Sequence, residues 1–119
     1  MPIVTVTALA PSEPMVERLL GRLAESVAQG ASCPVDDVWC SFVPALGQSI
    51  GRRLAMPSDQ CPIVVIRGRR RSDDQVAGAM AAAAQTVGAE LGLPVEDVWV
   101  QWVDVVAGQA FAGGGVIGS

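Results

Sequence analysis

The sequence predicts an α/β fold: duplicated β-α-β units forming a four-stranded sheet with two helices on one face. Three observations predict it. The chain repeats itself at an offset of sixty, so that Pro2-Ile3-Val4 returns as Pro62-Ile63-Val64 and Ser12 as Ser72. Pro34-Val35-Asp36-Asp37-Val38-Trp39 returns as Pro94-Val95-Glu96-Asp97-Val98-Trp99, with no gap needed from Pro2 to Val43. Each copy opens on a short β-branched run, Ile3 to Thr7 and Ile63 to Ile66, which reads as a buried strand. Each run is followed by apolar residues at helical spacing.

The elements follow in order. Ser12 precedes Glu13-Pro14, and Ser72 precedes Asp73-Asp74-Gln75, so serine with acids in the first turn marks both helix starts. Ser72 to Gln75 also has capping-box spacing. Met15, Val16, Leu19, Leu20, Leu23, Ala24 and Val27 make the apolar stripe of the first helix. Val76, Met80, Ala83, Ala84, Val87 and Leu91 make that of the second. Each helix ends near a glycine and a proline, Gly30 with Pro34 and Gly92 with Pro94. Val38 to Val43 and Val98 to Val103 supply the second strands, each parallel to the first strand of its unit. Pro44 to Gln60 reads as a Gly-, Ser- and Pro-rich linker, and the Gly-rich tail from Gln109 has room for a hairpin. The two repeats, residues 2–60 and 62–119, share one 119-residue domain, because each alone is near the lower size limit for a core of its own.

Composition narrows the function. Half the residues are apolar, yet no apolar run reaches the roughly 18 to 20 residues of a membrane span. A chain this apolar and this small is expected to cover surface by oligomerising. The net charge of −4 gives no electrostatic reason to expect nucleic acid or anionic lipid as partner. No basic segment precedes an apolar stretch, so no secretory signal is visible. Cys33, Cys40 and Cys61 are odd in number and lack CxxC spacing, which is the pattern of reduced thiols in a cytoplasm. Histidine is absent, which removes Ser-His-Asp and Cys-His catalysis and His-containing zinc sites. Cofactor-free and metal-free chemistry is expected.

A Pro-Ile opening to a β-α-β unit, with Arg-Ser-Asp at the helix start, resembles the tautomerase superfamily. The second copy is most similar to 4-oxalocrotonate tautomerase: Pro62-Ile63-Val64, Gly68 to Gln75 (GRRRSDDQ), Leu93-Pro94 and Phe111-Ala112-Gly113-Gly114. Two copies in one chain resemble the fused tautomerases, malonate semialdehyde decarboxylase and the 3-haloacrylate dehalogenases. The resemblance implies the tautomerase/MIF-like fold and a homotrimer acting on a small carboxylate. It implies that Pro2 is the catalytic proline and that Arg69 and Arg71 bind the substrate carboxylate. Asp37 matches the decarboxylase's acidic partner, and Phe111 the aromatic that lines the pocket. The match is incomplete: Pro11 stands where an arginine would precede Ser12, and Trp39 and Trp99 stand where the tautomerase has a second arginine.

The chemistry of these residues leaves two readings open. With Met1 removed, Pro2 carries a secondary amine whose generic α-amino pKa is about 7.7–8.0. Desolvation and neighbouring guanidinium groups push that value down and make Pro2 a base for a proton α to a carbonyl. A carboxylate at Asp37 would instead raise it and make Pro2 an acid, suited to decarboxylation or hydration. Asp97 occupies the same place in the copy without an amine, so a turn-forming role for Asp37 is the alternative. A retained Met1 would leave Pro2 an amide and the protein a non-catalytic relative. Arg67, Arg69, Arg70 and Arg71 lie within five positions, either as a solvated basic turn or, beside a helix start, as an anion site. Arg70 and Trp39 are further candidates for substrate contact. Trp99, Trp102 and Phe42 read as core and interface aromatics, and Cys40 as an inert core thiol.

Overall fold

A computed structural model describes residues 1–118. The main elements are β1 (Ile3–Leu9), α1 (Glu13–Ala31), β2 (Trp39–Ala45), β5 (Ile63–Gly68), α2 (Asp73–Leu91) and β6 (Trp99–Asp104). Two small hairpins complete the chain: β3 (Ser49–Ile50) with β4 (Arg53–Leu54), and β7 (Phe111–Ala112) with β8 (Gly115–Val116). The four long strands run in the order β2-β1-β5-β6. Each unit is a parallel pair, Ile3 beside Trp39 and Ile63 beside Trp99, as the repeat requires. The two units meet head to head through an antiparallel β1–β5 pair. In that pair Thr5 faces Val65, its own counterpart at the sixty-residue offset, so the internal two-fold axis passes between them.

Alternation divides the sheet cleanly. Val4, Val6, Ala8, Val64 and Ile66 point to the helices and are buried with Leu19, Leu23 and Val27 of α1 and Ala79, Ala83 and Val87 of α2. The opposite face carries Trp39, Val43, Ile63, Trp99 and Val103, all exposed.

Local chemistry sets the boundaries. Ser72 and Gln75 form the expected capping box, with Gln75 N–H donating to Ser72 Oγ at 3.2 Å and Ser72 N–H to Gln75 Oε1 at 3.3 Å. Ser12 occupies the N-cap of α1 but its side chain makes no capping bond. Met15, three residues on, has no group to return one. The strands run longer than their β-branched cores. The residues before β2 and β6 instead form 3₁₀ turns, Val35–Asp37 and Val95–Asp97, closed by the N–H of Val38 and Val98. The linker is also more ordered than its composition suggested, for Pro44 belongs to β2 and Ser49 to Leu54 form a hairpin. Gln48 anchors that hairpin through two hydrogen bonds to the backbone of Cys61, at 2.6 and 2.8 Å. The tail does form the hairpin for which it has room.

Gly30 does not stop α1. Ser32, at φ 56°, makes the left-handed cap instead, and Gly92 at φ 68° does so for α2. Gly30 is where the helices touch: a Cβ there would lie 2.6 Å from the Gly78 carbonyl oxygen. At the other end of the helix pair stand the counterparts of these glycines, Arg18 and Glu90, joined by a 2.8 Å ion pair. Thr86 donates to its counterpart Ser26 at 2.9 Å between them. The helices thus meet backbone to backbone at one end and side chain to side chain at the other. Gly30→Ala is expected to destabilise the protein by about 1–3 kcal/mol through overpacking, despite the better helix propensity of alanine. Gly21→Ala, which meets nothing within 4 Å, should stabilise it by up to about 1 kcal/mol. Urea unfolding midpoints of the two variants check both signs.

Candidate active site

The antiparallel β1–β5 pair decides where the site lies. Ile3 pairs with Arg67, so the start of the chain and the turn after Gly68 share one end of the sheet. The parallel β1–β2 register brings the Val35–Asp37 turn to that end as well, and Trp39 N–H donates to the Pro2 carbonyl at 3.0 Å. The first turn of α2 and the last turn of α1 close the group. Residues far apart in sequence therefore converge because the two units are joined head to head.

Two hollows meet at Met1. One, of about 600 Å³, is lined by Met1, Asp37, Arg69, Arg70 and Arg71, with Ser72 and Gln75 of the capping box. It is polar and cationic. The other, of about 160 Å³, is walled mainly by Ile3, Trp39, Val105, Phe111 and Ile117. Met1 and Arg69 border both. Pro2 lies directly beneath, its ring fully buried. The candidate site residues Pro2, Asp37, Arg69, Arg70, Arg71, Trp39 and Phe111 are thus gathered around the start of the chain. Arg67 is not among them: it is exposed on the outer sheet face beside Ile3 and Val103.

Sequence reasoning missed Val105 and Ile117, because nothing in their spacing distinguishes a pocket wall from an ordinary apolar residue. It also missed a second task for Arg71, whose Nη1 donates to the Ala31 carbonyl at 3.0 Å. The last turn of α1 holds no basic residue of its own, so Arg71 supplies the positive charge that a helix C-terminus favours. Its Nε is buried and makes no hydrogen bond among the described residues. The ion pairs among the described residues, Arg18 and Arg22 with Glu90 and Arg53 with Asp59, include none of Arg67, Arg69, Arg70 or Arg71. Asp37 is exposed, and its carboxylate takes part in no ion pair or hydrogen bond among those residues. Asp37 is also the last residue of the Val35–Asp37 turn, the position that a turn-forming role requires.

The opposite end of the sheet is a built-in control. Pro62 is buried like Pro2, and Trp99 N–H donates to its carbonyl at 2.9 Å. There, however, Leu9, Ala10 and Pro11 stand where the other end has Arg69, Arg70 and Arg71. The chain also continues upstream of Pro62, and Gln60, only 3% exposed, folds in to accept the Leu9 N–H at 2.8 Å. Cys40, on the helix side of β2, is a bystander: burial pushes its thiol up to about 11, so it stays protonated at neutral pH.

Duplicated β-α-β units joined through an antiparallel pair into one four-stranded sheet define a recognisable class of α/β fold. The chain has the fold of the tautomerase superfamily. A native fused 4-OT is similar to it over 96% of this chain and 94% of that one, at 23% identity and a TM-score of 0.82. The R7 fused 4-OT, a wild-type asymmetric trimer, matches over 96% and 94%, at 14% identity and a TM-score of 0.87. Malonate semialdehyde decarboxylase matches over 94% and 92%, at 14% identity and a TM-score of 0.73. No family model and no curated protein sequence matches the chain.

Proposed function

We propose that this protein is a cofactor-independent tautomerase of a small 2-oxo acid, working as a homotrimer with Pro2 as general base. The observation that carries the reading is the cationic hollow at Met1, lined by Arg69, Arg70 and Arg71, whose counterparts at the other end are Leu9, Ala10 and Pro11. Removal of Met1 frees the Pro2 nitrogen at the junction of the two hollows. The amine takes a proton from the carbon next to the substrate carbonyl, and the electron pair left behind moves onto the carbonyl oxygen. The ammonium so formed delivers that proton to the enolate oxygen, which completes the enol and restores the free amine; ketonisation runs the same steps in reverse, so nothing is consumed. Arg69 and Arg71 hold the carboxylate and offset the developing enolate charge. Arg70 contributes field from the rim, and Trp39 and Phe111 hold the uncharged part of the substrate in the apolar hollow. The exposed apolar face of the sheet supports assembly of three chains, as does the trimeric state of the R7 fused 4-OT.

Asp37 favours a second reading. Its carboxylate borders the same hollow as Met1, and it would hold Pro2 as a cation suited to decarboxylation of a semialdehyde or hydration of a haloacrylate. A pH–rate profile with phenylenolpyruvate separates the two, using protein whose intact mass lacks Met1. Activity lost as pH falls through the amine pKa identifies a base; activity lost as pH rises identifies an acid. Processed protein that turns over no enol, semialdehyde or haloacrylate would overturn both.

A further inference from the structure

We infer that Trp102, seated on Gly68, is a positioning residue for the arginine turn, and that it sets where Arg69, Arg70 and Arg71 present their charge. A Cβ on Gly68 would lie 2.7 Å from Trp102 Cζ2 and 2.9 Å from Cη2, so the indole rests directly on the glycine backbone. The ring is fixed in turn by its Nε1, which donates to Asp104 Oδ1 at 2.9 Å. Val105 N–H donates to the Gly68 carbonyl at 2.7 Å. Gly68 is therefore gripped by the indole and by the chain after β6, immediately before the three arginines. Arg70, Arg71, Trp102 and Asp104 border a common hollow of about 310 Å³, so the indole side of the turn is continuous with its charged side.

The duplication shows that this arrangement is not a requirement of the fold. In the first copy Ala8, Phe42 and Pro44 occupy the positions of Gly68, Trp102 and Asp104. Ala8 is buried, Phe42 packs on the same core, and the strand pairing through Ala8 and Pro44 is intact. The alanine–phenylalanine pair thus builds an equally good sheet edge. The glycine–tryptophan–aspartate set is found only at the end bearing arginines, where the turn must be held rather than merely closed. Gly68 matters here because the large ring needs the space that a methyl group would fill.

The test is to replace the set with what the other copy uses, in the full-length protein. Gly68→Ala with Trp102→Phe restores a pair that already packs at Ala8 and Phe42, and Trp102→Phe alone serves if the double variant does not fold. Amide hydrogen exchange in the free protein is read first. Exchange at Arg69 to Ser72 is expected to rise by about tenfold or more, with β1 and the middle of α2 unchanged. In phenylenolpyruvate kinetics, which rest on the tautomerase reading, KM is expected to rise and kcat/KM to fall about tenfold or more, since the displaced arginines both hold the carboxylate and offset the enolate charge. Unchanged exchange across the turn overturns the inference. So does a rise in exchange that is as large in β1 and the middle of α2 as in the turn, which signals a general loss of stability. If the wild-type protein turns over no enol, the tautomerase reading fails by itself, and the exchange measurement still decides the role of Trp102.

Discussion

Replacing Pro2 by Ala is expected to lower kcat for 2-oxo acid tautomerisation by about 10²–10⁴-fold, the range that a positioned base contributes, with KM nearly unchanged. Pro2 is also a fully buried ring whose carbonyl receives the Trp39 N–H at 3.0 Å, so its truncation costs stability as well as chemistry. The duplication separates the two. Pro62 is equally buried and its carbonyl receives the Trp99 N–H at 2.9 Å, but its nitrogen is an amide in mid-chain. Pro62→Ala should therefore cost a similar amount of stability, about 1–2 kcal/mol for the lost ring methylenes, and leave kcat unaltered. Steady-state kinetics and urea midpoints of both variants give the comparison. Equal loss of activity in the two would remove Pro2 from the mechanism.

The second large effect concerns Arg71. Its Nη1 bond to Ala31 ties α2's approach to the end of α1, while its Nε meets no acceptor among the described residues. Arg71→Ala is expected to lower kcat/KM by about 10- to 150-fold, the value of a charge-assisted hydrogen bond to a carboxylate. It should also lower stability by about 1 kcal/mol through the uncapped end of α1. Arg71→Lys divides these roles. The ammonium restores charge at the helix end but not the planar fork, so stability should recover while KM stays high. If Arg71→Lys restores both, the guanidinium geometry is not what the ligand needs.

The strands, the helices and the parallel pairing within each unit were legible because periodicity and the offset of sixty both reported on them; the antiparallel β1–β5 pair that joins the units was not. So was the cluster of Pro2, Asp37, Arg69, Arg70 and Arg71, through spacing and resemblance. What stayed hidden was geometric. Gly30 looks like a helix stop by type and position, yet its role depends on Gly78, which no local pattern connects to it. Arg71 reads as a free charge until the end of α1 is seen to lie within its reach. Trp102 reads as one more core aromatic until Gly68 is found beneath it. Each depends on two residues from different elements meeting at van der Waals distance, and such meetings leave no periodic trace.

The head-to-head joining of the units has a further consequence for how this chain can change. Its two ends are twins in backbone but not in side chains, and Gln60 is folded in at the Pro62 end. Leu9, Ala10 and Pro11 there stand opposite Arg69, Arg70 and Arg71, so one polypeptide presents two chemically different ends on one backbone plan. A chain half as long, pairing with its own copy, would have to change both ends at once; a fused chain can change one end alone.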